Sequence, residues 1–68
     1  MEISARNQLP GTIAKITRGT VMAEVIVRVG EHEIAAAITR ASVDQLGLKE
    51  GDQVVAIIKA TEVMIGRP

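Results

Sequence analysis

The chain has 68 residues, with eight acidic and eight basic side chains and a formal net charge of zero, which argues against a general polyanion binder because that would need a basic surplus. Cysteine is absent, so neither a disulfide nor a thiolate metal site can stabilise the fold. Phe, Tyr and Trp are absent too, yet 47% of the residues are hydrophobic, so a single domain over residues 1–68 is expected to bury apolar surface against copies of itself, as an obligate oligomer.

The chain opens on Ser4-Ala5-Arg6-Asn7-Gln8, which gathers a hydroxyl, a guanidinium and two amides. This run reads either as a solvated arm or as a donor-rich segment placed to reach a neighbouring subunit. A first strand is predicted over 8–17. Pro10-Gly11 inside it predicts an edge position or a bulge, and a sharp bend. Closing a small barrel requires such bending of a long first strand. Arg18-Gly19-Thr20 marks a turn. Residues 21–29 carry valine or alanine at every odd position, the alternation of a strand with one buried face. Gly30-Glu31 reads as a tight hairpin turn. A third strand over 32–38 places Ile34, Ala36 and Ile38 on one face.

A short helix is predicted over 40–46, capped by Thr39 or by Ser42. Ser42-Val43-Asp44-Gln45 has a capping-box pattern. Gly47 fits a left-handed C-cap, with Leu48 as the apolar contact beyond it. After the turn Glu50-Gly51-Asp52, a fourth strand over 53–58 is apolar on both faces. Such a strand is covered twice, the second time by another subunit. Lys59-Ala60-Thr61 follows, as a plain strand end or as an ammonium at the rim of an interface. After a turn near 60–63, Met64-Ile65-Gly66 is expected to add a short fifth strand. The fold class expected is all-β: an oligomeric, five-stranded OB-like barrel with one short helix between strands 3 and 4.

Three clusters carry chemistry: residues 4–8, Thr39 with Ser42, and residues 59–61. The Thr39 and Ser42 hydroxyls read as ordinary capping or as part of an anion site. Together the clusters are rich in donors and poor in catalytic groups. They suit a fully deprotonated oxyanion, whereas a partly protonated phosphate would also want an acceptor. A carboxylate would join them only if Glu62 turned inward. His32, the sole histidine, lies between Glu31 and Glu33. It has no further ligands at metal-binding spacing and reads as a surface residue. No nucleophile–base arrangement can be assembled, so no enzyme is expected. Nucleic-acid binding by such a barrel uses stacking aromatics, which this chain lacks. No secretory signal and no membrane-spanning run is apparent, so a cytoplasmic protein without membrane partners is expected.

The clusters, in this order and spacing, resemble the molbindins, the small Mop-type molybdate- and tungstate-binding proteins. The resemblance rests on Ser4-Ala5-Arg6-Asn7-Gln8-Leu9, on Thr20-Val21-Met22-Ala23-Glu24-Val25, on Ile38-Thr39 with Ser42-Val43-Asp44-Gln45-Leu46-Gly47-Leu48, and on Gly51-Asp52 leading to Lys59-Ala60-Thr61-Glu62-Val63-Met64. It implies an OB-like fold, a hexamer built as a trimer of dimers, and oxyanion sites between subunits. It also implies cytoplasmic storage and homeostasis of molybdate or tungstate, held as a bound ligand with no direct protein–metal bond. One subunit would give Ser4 and Arg6 with the Ala5 backbone between them. A neighbour would give Thr39, Ser42, Lys59 and the backbone N–H of Ala60. Many members of that family have serine where this chain has Ala60, so the resemblance implies a weaker or altered site. A second class of site near a three-fold axis receives no residues here. The alternative reading keeps the fold but makes it a molybdate-sensing or assembly module acting through a protein partner.

Overall fold

A computed structural model describes all 68 residues. The elements run β1 (Asn7–Arg18), β2 (Met22–Val29), β3 (His32–Thr39), α1 (Arg40–Leu46), β4 (Gln53–Ile58) and a 3-10 turn, Ala60–Glu62. The strands form one antiparallel sheet in the order β3-β2-β1-β4.

β1 is long because it serves two partners. Asn7 to Thr12 pair with β4, and Thr12 to Arg18 pair with β2. Pro10, opposite Val55, therefore falls in the half that β2 does not pair, the edge setting that a strand proline requires. Gly11 marks the changeover. A Cβ there would lie 2.5 Å from the Arg28 carbonyl oxygen and 2.7 Å from a Val27 methyl, so the bare backbone of glycine is what lets β1 approach β2 this closely. The β1–β2 register then shifts between Ile13 and Lys15, a bulge that bends the strand. The turn before β4 satisfies the backbone around it. Gly51 donates to the Ile13 carbonyl at 2.8 Å, and Ile13 N–H donates to the Asp52 carbonyl at 2.9 Å. Ile16 N–H donates to Glu50 Oε2 at 3.2 Å.

The helix begins at Thr39, whose Oγ1 accepts from Ser42 N–H at 3.1 Å. Ser42 lies inside the first turn, so it is not the N-cap and the Ser42–Gln45 capping box is not formed. At the other end Gly47 has φ 62°. Gly47 N–H donates to the Asp44 carbonyl at 3.1 Å and Leu48 N–H to the Val43 carbonyl at 3.0 Å. This pair of bonds is the Schellman closure, and Leu48 packs on the core as expected.

The core is small: Ile13, Ala23, Val25, Val27 and Val43. Ala23, Val25 and Val27 are the odd positions of β2, as the alternation required. Ile38 and Ala36 of β3 and Val54 of β4 pack partly buried against this cluster. The other face of β4 is uncovered within the protomer, with Val55 and Ile57 each 40% exposed.

Two expectations are corrected. Residues 63–68 form no strand, and the sheet does not close between β3 and β4. The chain leaves β4 through the 3-10 turn, where Glu62 N–H donates to the Lys59 carbonyl at 2.9 Å. Beyond it Met64 and Ile65 are 91% and 92% exposed. An apolar run becomes a strand only where an edge is offered to it, and the protomer's own edges lie out of its path. No helix is long and apolar enough to cross a membrane.

Candidate functional site

Antiparallel pairing of β1 with β4 sets the site. Because Asn7 pairs with Ile58, the residues that precede β1 lie beside the residues that follow β4. Ile3, Ser4, Ala5, Arg6, Ile57, Lys59, Ala60 and Thr61 line one pocket there. The first and third sequence clusters thus meet in a single protomer. The arm that carries Ser4 and Arg6 is tied down by Gln8 Nε2, which donates to the Ala5 carbonyl at 2.6 Å.

The pocket offers two hydroxyls, a guanidinium and an ammonium, and no carboxylate lines it. The side chains of Ser4, Arg6, Lys59 and Thr61 make no hydrogen bond or ion pair within the protomer. Their donors are therefore free for a ligand. Ala60 opens the 3-10 turn, where the first N–H groups are not consumed by the turn itself. Ile3 and Ile57 supply apolar wall. Glu62 lines a different cavity, and neither it nor Glu2, the two carboxylates adjoining these residues in sequence, lines the pocket. Two cations and hydroxyl donors facing one space suit a multiply charged anion with acceptor oxygens only.

Thr39 and Ser42 sit elsewhere. Their hydroxyls bond each other at 2.7 Å. Thr39 pairs with Met22, and the neighbouring Ala23 pairs with Arg18, so this couple lies at the end of β1 opposite to Asn7. A single protomer cannot bring it to the pocket. Within the protomer, Lys59 and Ala60 line one pocket with Ser4, Ala5 and Arg6, whereas Thr39 and Ser42 stand apart from it. The reason is the β1–β4 register, which the sequence does not display.

Thr61 is the pocket residue that the sequence reading noticed but did not assign as a ligand. Its signal was its place beside Lys59 and Ala60. His32 starts β3 opposite Val29 on the surface, and no group of three or more His, Cys, Asp or Glu side chains comes together.

A second cavity, of about 480 Å³, opens between β3 and β4. Fifteen of its 17 lining residues are hydrophobic, Ile34, Ile38, Leu46, Leu48, Val54 and Ile58 among them. Ile57 and Lys59 line both cavities.

Comparison with known proteins places this geometry in context. The TOBE domain family matches residues 3–65. Molybdenum-pterin-binding protein 1 of Clostridium pasteurianum is 46% identical over 66 residues, which cover 96% of this chain and 97% of that protein. A molybdate-binding protein from Sporomusa ovata superposes with a TM-score of 0.93 at 45% identity, covering 98% of this chain and all of that one. The cytoplasmic molybdate-binding protein ModG, solved with molybdate bound, superposes with a TM-score of 0.92 at 42% identity. There the match covers all of this chain and 49% of ModG.

Proposed function

The chain belongs to the TOBE domain family, and from that premise we propose that it is a non-enzymatic protein that binds molybdate or tungstate and stores it in the cytoplasm. The observation that carries the reading is the pocket at the β1–β4 end, where Ser4, Arg6, Lys59 and Thr61 present unpaired donors and no carboxylate intrudes. Molybdate is a tetrahedral dianion at neutral pH and offers acceptors alone. Each hydrogen bond to such a charged ligand is worth roughly 1.5–3 kcal/mol. Relatives and structural neighbours named for molybdenum-pterin or molybdate support the choice of ligand.

The assembly we propose is a hexamer, a trimer of dimers, with the oxyanion between subunits. One subunit gives Ser4, Arg6, Lys59 and the backbone of Ala5 and Ala60. A neighbour gives Thr39 and Ser42, which lie at the far end of β1 and so reach the ligand only from another copy. Ala60 gives an N–H but no hydroxyl, and the Thr61 hydroxyl beside it stands in the same pocket.

Calorimetric titration with sodium molybdate, with sulfate in parallel, tests this. The expected result is saturable molybdate binding that weakens roughly tenfold to a hundredfold in Arg6→Ala and in Lys59→Ala, with oligomer mass unchanged. Normal molybdate affinity in both variants would defeat the assignment of the site. Sulfate binding as tight as molybdate would defeat its selectivity.

A further inference from the structure

The pocket at the β1–β4 end is lined from two segments of chain. The arm before β1 brings a hydroxyl and a cation, Ser4 and Arg6. The segment after β4 brings Lys59, Ala60 and Thr61. We propose that the Thr61 hydroxyl binds the oxyanion directly, as the directional donor of this second segment. The inference rests on the oxyanion reading above and adds one residue to the ligand set given there.

Three observations carry it. A threonine in a turn ordinarily bonds to a backbone group close by in sequence. Here the next amides are already taken: Glu62 N–H donates to the Lys59 carbonyl at 2.9 Å, and Val63 N–H to the Ala60 carbonyl at 3.4 Å. The Thr61 hydroxyl makes no hydrogen bond within the protomer. Second, Ala60 carries only a methyl group, so Thr61 is the one uncharged side-chain donor that this segment brings to the pocket. Third, no carboxylate lines the pocket to take the hydroxyl proton, which is left for a ligand oxygen.

The two donors of the segment have different work. Lys59 is a point charge on a flexible stem and attracts any anion. A hydroxyl donates one proton along one direction and rotates to aim it. With Thr61 the second segment matches the first, each giving one cation and one hydroxyl. A tetrahedral ligand, with acceptor oxygens on every side, then meets a directed donor from both segments.

Calorimetric titration of the full chain with sodium molybdate, at low and at high salt, tests the assignment with two variants. Thr61→Val keeps the shape and drops the hydroxyl. Thr61→Ser keeps the hydroxyl and drops the methyl. Thr61 is exposed, so fold and oligomer mass are expected to survive in both. Thr61→Val is expected to bind molybdate roughly tenfold to a hundredfold more weakly, and Thr61→Ser to bind as the natural chain does. The salt dependence of binding is expected to be unchanged in Thr61→Val, which loses no charge, and to flatten in Lys59→Ala, which does. Natural affinity in Thr61→Val beside weakened binding in Lys59→Ala would overturn the Thr61 assignment and leave the oxyanion reading standing. Equal losses in Thr61→Val and Thr61→Ser, or a changed oligomer mass in Thr61→Val, would overturn it as well, because the side chain would then act through packing. Absence of molybdate uptake by the natural chain would overturn the oxyanion reading and the assignment with it.

Discussion

The two ends of the hydrophobic structure differ. Every buried residue lies on β1, β2 or α1: Ile13, Ala23, Val25, Val27 and Val43. None lies on β3, on β4 or beyond. The first region is a finished core in which a bulged strand, a valine-rich strand and a capped helix cover one another. The second is a set of half-covered strands facing an opening. The difference teaches that apolar content and burial are separate quantities. β4 is as apolar as β2, but β2 has neighbours on both edges and β4 on one.

The strongest way to break this comparison is Ile13→Ala. Ile13 is 2% exposed, and truncating such an isoleucine costs roughly 2–5 kcal/mol. Urea unfolding followed by circular dichroism should show that loss at every protein concentration. A loss caused by weakened assembly should instead vary with concentration. A concentration-dependent loss in Ile13→Ala would mean that the finished core is not finished. Gly11→Ala should follow. The added methyl must displace the Arg28 carbonyl and the Val27 side chain, and overpacking of this kind costs roughly 1–3 kcal/mol. A melting temperature equal to that of the natural chain would show that β1 can move off β2 freely.

Thr39→Ala tests the closure of the helix onto the core. Losing the cap to Ser42 N–H should cost about 1 kcal/mol, and Thr39→Ser should restore most of it. The smallest effect belongs to the cross-strand pair Arg28–Glu33, 3.4 Å apart with side chains 62% and 57% exposed. Arg28→Ala should shift stability by less than about 1 kcal/mol, and less still at high salt. A larger loss would show that this face is covered by another molecule.

Much of the fold was legible because its signals are local. The helix was readable from 40 to 46 because Thr39 and Gly47 punctuate it. The odd valines of β2 declared their inward face. Pro10-Gly11 announced a strand that bends, though not that it changes partners there. The fifth strand misled because Met64-Ile65 has strand composition without a strand's partner, and partnership is not a local property. The site divides the same way. Donor chemistry was visible in Ser4, Arg6 and Lys59, whose side chains advertise it. Which of them share a protomer depends on the pairing of Asn7 with Ile58, a register between segments 51 residues apart in number (58 − 7). Thr61 was passed over because a threonine after a strand has many ordinary uses.

The bond from Gln8 to Ala5 has a consequence for which ligands the pocket tolerates. A bare backbone carbonyl beside a dianion repels it, because two electron-rich oxygens then face each other. The Gln8 amide engages one lone pair of the Ala5 carbonyl, whose residue forms part of the pocket wall, and so weakens that oxygen as an acceptor for a protonated anion or a metal cation. The same bond holds the arm that carries Ser4 and Arg6 against the start of β1, so the donors of the pocket keep their places without a ligand to order them.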